Sequence, residues 1–88
     1  MKIVVNKCYG GFGLSDKAKT FLQEMGCSEP DYLERNDPLL VQAVEFLGTA
    51  ASDEYARLVV IEIPDGVLWE ISDYDGMEKV VEQHRAWY

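Results

Sequence analysis

Basic residues are scarce in this sequence. Eight Lys and Arg stand against sixteen Asp and Glu in 88 residues, a net charge of −8. Nucleic-acid binding needs clustered cations, so this balance argues against a nucleic-acid partner, and against an anionic membrane surface for the same reason. No apolar run approaches the ~20 residues of a membrane span. The opening Met1-Lys2-Ile3-Val4-Val5-Asn6-Lys7 is basic and then apolar, but too briefly apolar for a secretory signal. A cytoplasmic protein is the expectation. Cysteine is sparse as well: Cys8 and Cys27 alone do not make the dense disulfide framework of a small secreted domain. With one histidine, and neither cysteine near another Cys or His, no metal signature is present and no cofactor is expected.

The charge is unevenly spread. Residues 1–28 carry four lysines against Asp16 and Glu24, whereas residues 29–88 carry four cations against fourteen acids. A small anion therefore finds its best electrostatic welcome near the N-terminal lysines. Hydrophobic residues at 48 %, including five Tyr, three Phe and two Trp, suffice for a packed core and argue against disorder. The length fits one domain, residues 1–88.

Lys2 to Asn6 reads as a short strand buried on both faces, because its apolar run is continuous and β-branched. Ser15 is a good helix N-cap, and Ala18, Phe21, Leu22 and Met25 form one helical stripe closed by Gly26. Asp37-Pro38 opens a second helix with stripe Leu40, Ala43, Val44 and Leu47, ended by Gly48. Leu58–Ile63 and Val67–Ser72 read as two strands of a hairpin turned by Pro64-Asp65-Gly66. That register pairs Ile63 with Val67 and Ile61 with Trp69. Asp73 or Asp75 would cap a last helix with stripe Met77, Val80, Val81 and His84. The expected fold class is α/β (α+β): β-α-α-β-β-α in one small domain. Its three-stranded mixed sheet packs on the helices, with the first strand parallel to a hairpin strand through a right-handed crossover. The expected core comprises Val4, Phe21, Leu22, Val44, Leu47, Val60, Ile61, Ile63, Trp69, Ile71 and Val81.

The segment from Cys8 to Leu14 holds three glycines in four positions, between a strand and a helix. Backbone N–H groups and a helix dipole can hold an anion in that setting, with Lys7 and Lys17 adding charge. It is not a dinucleotide fingerprint: Gly11-Phe12-Gly13 supplies G-x-G, but Asp16 stands where the third glycine belongs, and no P-loop Gly-Lys-Ser/Thr follows. The candidate ligand-binding residues are Asn6, Lys7, Tyr9, Gly10, Gly11, Phe12 and Gly13. His84 and Trp87, near the C-terminus, join them as a stacking pocket. The competing reading is a structural turn with Tyr9 and Phe12 in the core, a structural His84, and terminal aromatics docked on the domain or on a second copy. Cys8 resembles in its placement the nucleophile of the low-molecular-weight tyrosine phosphatases. Their loop needs an arginine six positions later, where this chain has Leu14, so a buried, inert thiol is expected. Glu62, Glu70, Asp73 and Asp75 form an acidic cluster whose Glu62–Glu70 pair has the chemistry of acid–base work or hard-cation binding, or is simply a solvated face.

The run Val5-Asn6-Lys7-Cys8-Tyr9-Gly10-Gly11-Phe12-Gly13-Leu14-Ser15 resembles the opening of small uncharacterised bacteriophage and prophage proteins. Asp37-Pro38-Leu39-Leu40-Val41, Ile63-Pro64-Asp65-Gly66-Val67 and Glu82-Gln83-His84-Arg85-Ala86-Trp87 are similar to later segments of that group. The resemblance implies a phage or prophage origin and an accessory role against host defences. The residues and the resemblance together lead to a non-catalytic binding protein that sequesters a small nucleotide-like signal at the glycine loop. The alternative is an inhibitor that engages a host protein through its acidic face.

Overall fold

A computed structural model describes residues 1–83. The elements run β1 (Lys2–Asn6), α1 (Asp16–Glu24), α2 (Pro38–Leu47), β2 (Leu58–Glu62), β3 (Trp69–Tyr74) and β4 (Met77–Glu82), with 3-10 turns at Pro30–Tyr32 and Gly48–Ala51. Both helices start and stop where the residues say. Ser15 Oγ accepts the Ala18 N–H. Gly26 at φ 97° closes α1, with its N–H donating to the Gln23 carbonyl and the Cys27 N–H to that of Leu22, a Schellman arrangement. Asp37 caps α2 through the Leu39 N–H with Pro38 behind it, and Gly48 ends it. Among the described residues no helix is long and apolar enough to cross a membrane.

The strands depart from the expected three-stranded mixed sheet. The domain is α+β with two separate two-stranded antiparallel sheets, β1–β2 and β3–β4. β1 runs antiparallel to β2, Ile3 opposite Ile61 and Val5 opposite Val59. One crossover helix carries the chain back to its starting end and gives a parallel strand. Two helices carry it back and forth, so the next strand enters from the far end. The hydrophobic pattern is the same either way and does not record direction.

No hairpin forms around Pro64–Gly66. Proline at the first corner fixes φ near −65°, which suits turns that splay strands rather than the primed turns that join them. Ile63 pairs with Met1 instead, and the Met1 ammonium reaches Asp65 Oδ1 at 2.8 Å. The hairpin lies one strand later, at Asp75-Gly76. Both residues have positive φ, 52° and 88°, as a type I′ turn requires. Its register sets Trp69 opposite Glu82, Ile71 opposite Val80 and Tyr74 opposite Met77. The expected last helix is therefore strand β4. Met77, Val80 and Val81 fit a helical stripe, but six residues are too few to fix a period, and adjacent valines favour a strand.

The core is correspondingly smaller than expected. Val4, Leu22 and Val44 are buried, but Phe21, Leu47, Val60, Ile61, Ile63, Trp69, Ile71 and Val81 are only half-buried. The residues of this set in or beside β2, β3 and β4 flank a strand edge that no second strand pairs, and side chains beside an open edge keep contact with water. Val4 packs with Leu22, Leu40, Ala43, Val44 and Leu58 on the helix side. Ile3 and Val5 point to the opposite face and are just as buried, beside β4.

The second edge of β1 is closed without a strand. The Val4 N–H donates to the Arg35 carbonyl at 2.8 Å, and the Asn6 N–H donates to the Glu78 carboxylate at 2.9 Å. This edge is where the β3–β4 hairpin meets the body.

Candidate functional site

Asn6 ends β1 fully buried, and its polar groups all turn to the chain itself. Its Nδ2 donates to the carbonyls of Cys8 and Gly76, both at 2.6 Å, and its Oδ1 accepts the Arg57 N–H at 2.8 Å. One side chain thus ties the glycine loop to the hairpin turn and to the entry of β2. Lys7 comes next, half-buried, with Nζ donating to the Glu78 carbonyl at 2.8 Å.

Glu78 is the pivot. It is 4 % exposed, yet its carboxylate is satisfied by the Asn6 N–H and by both Arg35 Nη groups, Nη2 at 2.8 Å. The guanidinium of Arg35 in turn lies 3.8 Å from the centre of the Phe12 ring, a cation–π contact inside the glycine loop. Burial pushes the Glu78 carboxyl up, but the Arg35 and Asn6 hydrogen bonds and the charges of Arg35 and Lys7 outweigh it. They hold the group below the usual carboxylate range. The knot joins β1, the glycine loop, the segment before α2, and β4.

The glycines of the loop earn their places against the chain's own backbone and side chains. A Cβ on Gly10 would strike the Tyr55 carbonyl oxygen, and one on Gly13 would strike the Asp53 carboxylate. Across the loop, a Cβ on Gly76 would lie 2.7 Å from the Tyr9 carbonyl oxygen and as close to Gly11 Cα. Gly11, at φ 92°, faces open space. Loop 8–14, segment 53–55 and the hairpin tip 73–77 are therefore pressed together into one end of the molecule. That end displays three tyrosines: Tyr9 at 63 %, Tyr55 at 64 % and Tyr74 at 74 % exposure.

A cleft of about 240 Å³ opens beside this end, between Lys7 and the outer face of the hairpin, where Ser72, Tyr74, Met77 and Lys79 line it. No family model, no curated protein and no solved structure matches this chain.

Of the expected binding residues, Asn6, Lys7, Tyr9, Gly10, Gly11, Phe12 and Gly13 are brought together. Tyr9 projects to solvent, Phe12 is half-buried under Arg35, and Asn6 is internal. His84 and Trp87 lie outside the described residues. Cys8 is a half-buried free thiol, and Leu14, where a phosphatase would need arginine, is a core residue. Glu62 and Glu70 are not cross-strand partners. Glu62 sits opposite Lys2 in one sheet and Glu70 opposite Val81 in the other. No group of three or more His, Cys, Asp or Glu among the described residues is arranged to hold a metal ion.

Sequence reasoning missed Arg35, Glu78, Tyr55 and Tyr74. The Asp75-Gly76 pair is a strong hairpin signal and points to Tyr74 beside it; nothing local singles out Tyr55. Nothing local announces the Arg35–Glu78 pair, whose members stand 43 residues apart.

Proposed function

We propose that this chain is a non-catalytic binding protein that engages a protein partner of basic surface through its tyrosine-bearing end. The observation that carries the reading is that Tyr9, Tyr55 and Tyr74, all well exposed, stand on three segments packed closely together at Gly10, Gly13 and Gly76. Tyrosine supplies large amphipathic contact area at low entropic cost, which is why it is enriched at protein interfaces. Asp53, Glu54, Asp73 and Asp75 flank Tyr55 and Tyr74 in the chain. In a chain of net charge −8 they steer a basic partner and repel an acidic one. The polar groups best suited to chemistry at this end, Asn6, Arg35 and Glu78, are already engaged with each other or with the backbone. The resemblance to bacteriophage proteins makes a host protein the natural candidate.

Affinity capture from host lysate tests the reading. The wild type should retain a basic protein at low ionic strength and release it at high. Tyr9→Ser and Tyr55→Ser should lose that protein, while Phe46→Ser, an exposed aromatic stacked on Phe21 of α1, should keep it. A partner captured equally by all four proteins, or lost only with Phe46→Ser, rules the surface out.

A further inference from the structure

The cleft beside Lys7 carries a second kind of recognition. We propose that it is a site for a mononucleotide-type ligand, one planar ring bearing one phosphate. The hairpin register supplies one wall. Ser72 stands opposite Lys79 and Tyr74 opposite Met77. Strand alternation turns these four to one face and sends Asp73 and Glu78 to the other. Lys7 supplies the opposite wall from the end of β1. Glu78 borders the cleft, but its carboxylate is turned into the body against Arg35, so it adds no uncompensated negative charge.

Charge selects the ligand's sign. Only eight cations serve the whole chain, and two of them meet at this one cleft. Lys2, Lys19 and Arg35 are ion-paired, whereas neither Lys7 nor Lys79 forms an ion pair among the described residues. The Glu78 carbonyl accepts a hydrogen bond from the Lys7 ammonium and so positions the charge beside the cleft. The ring of Tyr74, exposed and without a stacking partner among the described residues, offers a face to a planar base, and the Met77 thioether lies across from it. Ser72 adds a hydroxyl able to donate or accept.

Size bounds the ligand. Sites for drug-sized molecules run from ~300 Å³ upward. At about 240 Å³ this cleft suits a single ring with its anionic group. Glu70, the next residue along the same face, lies opposite Val81 outside the cleft and would repel a second phosphate.

Titrations of the full chain with AMP, adenosine and inorganic phosphate at low salt, followed by calorimetry, test the proposal. AMP should bind at least about tenfold more tightly than either fragment, since ring and phosphate each add free energy. Lys79→Ala, on the exposed surface of the hairpin, should weaken AMP about tenfold with little change in stability, and Tyr74→Ala should do the same. Tyr55→Ser should leave AMP binding intact, which distinguishes the cleft from the protein-binding surface with which it shares only Tyr74. AMP that binds no better than phosphate or adenosine overturns the proposal. So does AMP binding unmoved by Lys79→Ala in a variant shown by circular dichroism to be folded.

Discussion

Glu78→Gln is the most informative single change. It keeps the size of the side chain and an acceptor for the Asn6 N–H, but it turns an amide toward Arg35 and leaves the guanidinium without its carboxylate. Removing one member of a buried ion pair costs about 3–5 kcal/mol. Arg35 is not fully buried, at 24 % side-chain exposure, and keeps its cation–π contact with Phe12. Water and the ring recover part of the loss, so a value near 2–3 kcal/mol is expected. A domain of 88 residues has a total stability of roughly 4–13 kcal/mol. The loss would thus be a large share, lowering the melting temperature by about 10–20 °C. Urea denaturation at neutral pH with linear extrapolation measures it. The pH dependence gives an independent check. The Glu78 carboxyl is held below its ordinary value of 4.5 in the folded state. Its contribution is therefore present above that value and lost as pH falls below it toward the folded-state value. Wild type should weaken on acidification through that window, and Glu78→Gln should weaken less. A variant within about 0.5 kcal/mol of wild type, with the same acid profile, would refute the reasoning.

Gly76→Ala should cost more than about 3 kcal/mol, because it adds positive-φ strain to a backbone collision with the glycine loop, whereas Gly11→Ala meets only the strain and should cost about 1 kcal/mol; urea curves of the two variants give the order, and equal losses would contradict it. Ser15→Ala should lose about 1 kcal/mol, seen as a lower urea midpoint with an unchanged slope, since it removes the cap of α1. Asp65→Asn should cost a little stability at neutral pH, because the Met1 ammonium holds the exposed Asp65 carboxyl below its ordinary value of 3.8; that contribution is lost as pH falls below 3.8, so the urea midpoints of variant and wild type should converge in acid.

What the sequence revealed and what it concealed follow from the range of each signal. Helix ends are written locally: Ser15, Gly26, Asp37-Pro38 and Gly48 each act within a few residues, and each is found in place. The burial of β1 on both faces was legible for the same reason, in three consecutive β-branched residues. Strand direction was not, because Ile3 meets Ile61 across 58 positions and the residues between say only that two helices intervene. The sequence reads as a hairpin at Pro64-Asp65-Gly66 and a helix cap at Asp73 or Asp75, because an aspartate suits a cap as well as a turn; only Asp75-Gly76 has the residue types for positive φ at both corners. At the site, the sequence marks Asn6 and the glycines as candidate ligand-binding residues, and the structure shows them in contact with the chain itself. Their geometric reasons lay elsewhere in the chain, in Tyr55, Asp53, Gly76 and Glu78, and proximity of that kind leaves no local trace.

The Asn6–Glu78–Arg35 knot holds the hairpin tip against the glycine loop, and that contact assembles both the tyrosine-bearing end and the cleft. The most direct measurement is the nuclear Overhauser effect between Gly76 Hα and the Gly11 amide proton in the labelled full chain. A strong cross-peak in wild type, weakened or lost in Glu78→Gln, is the result predicted. Its absence from a folded wild-type protein would separate the hairpin from the loop and contradict the account.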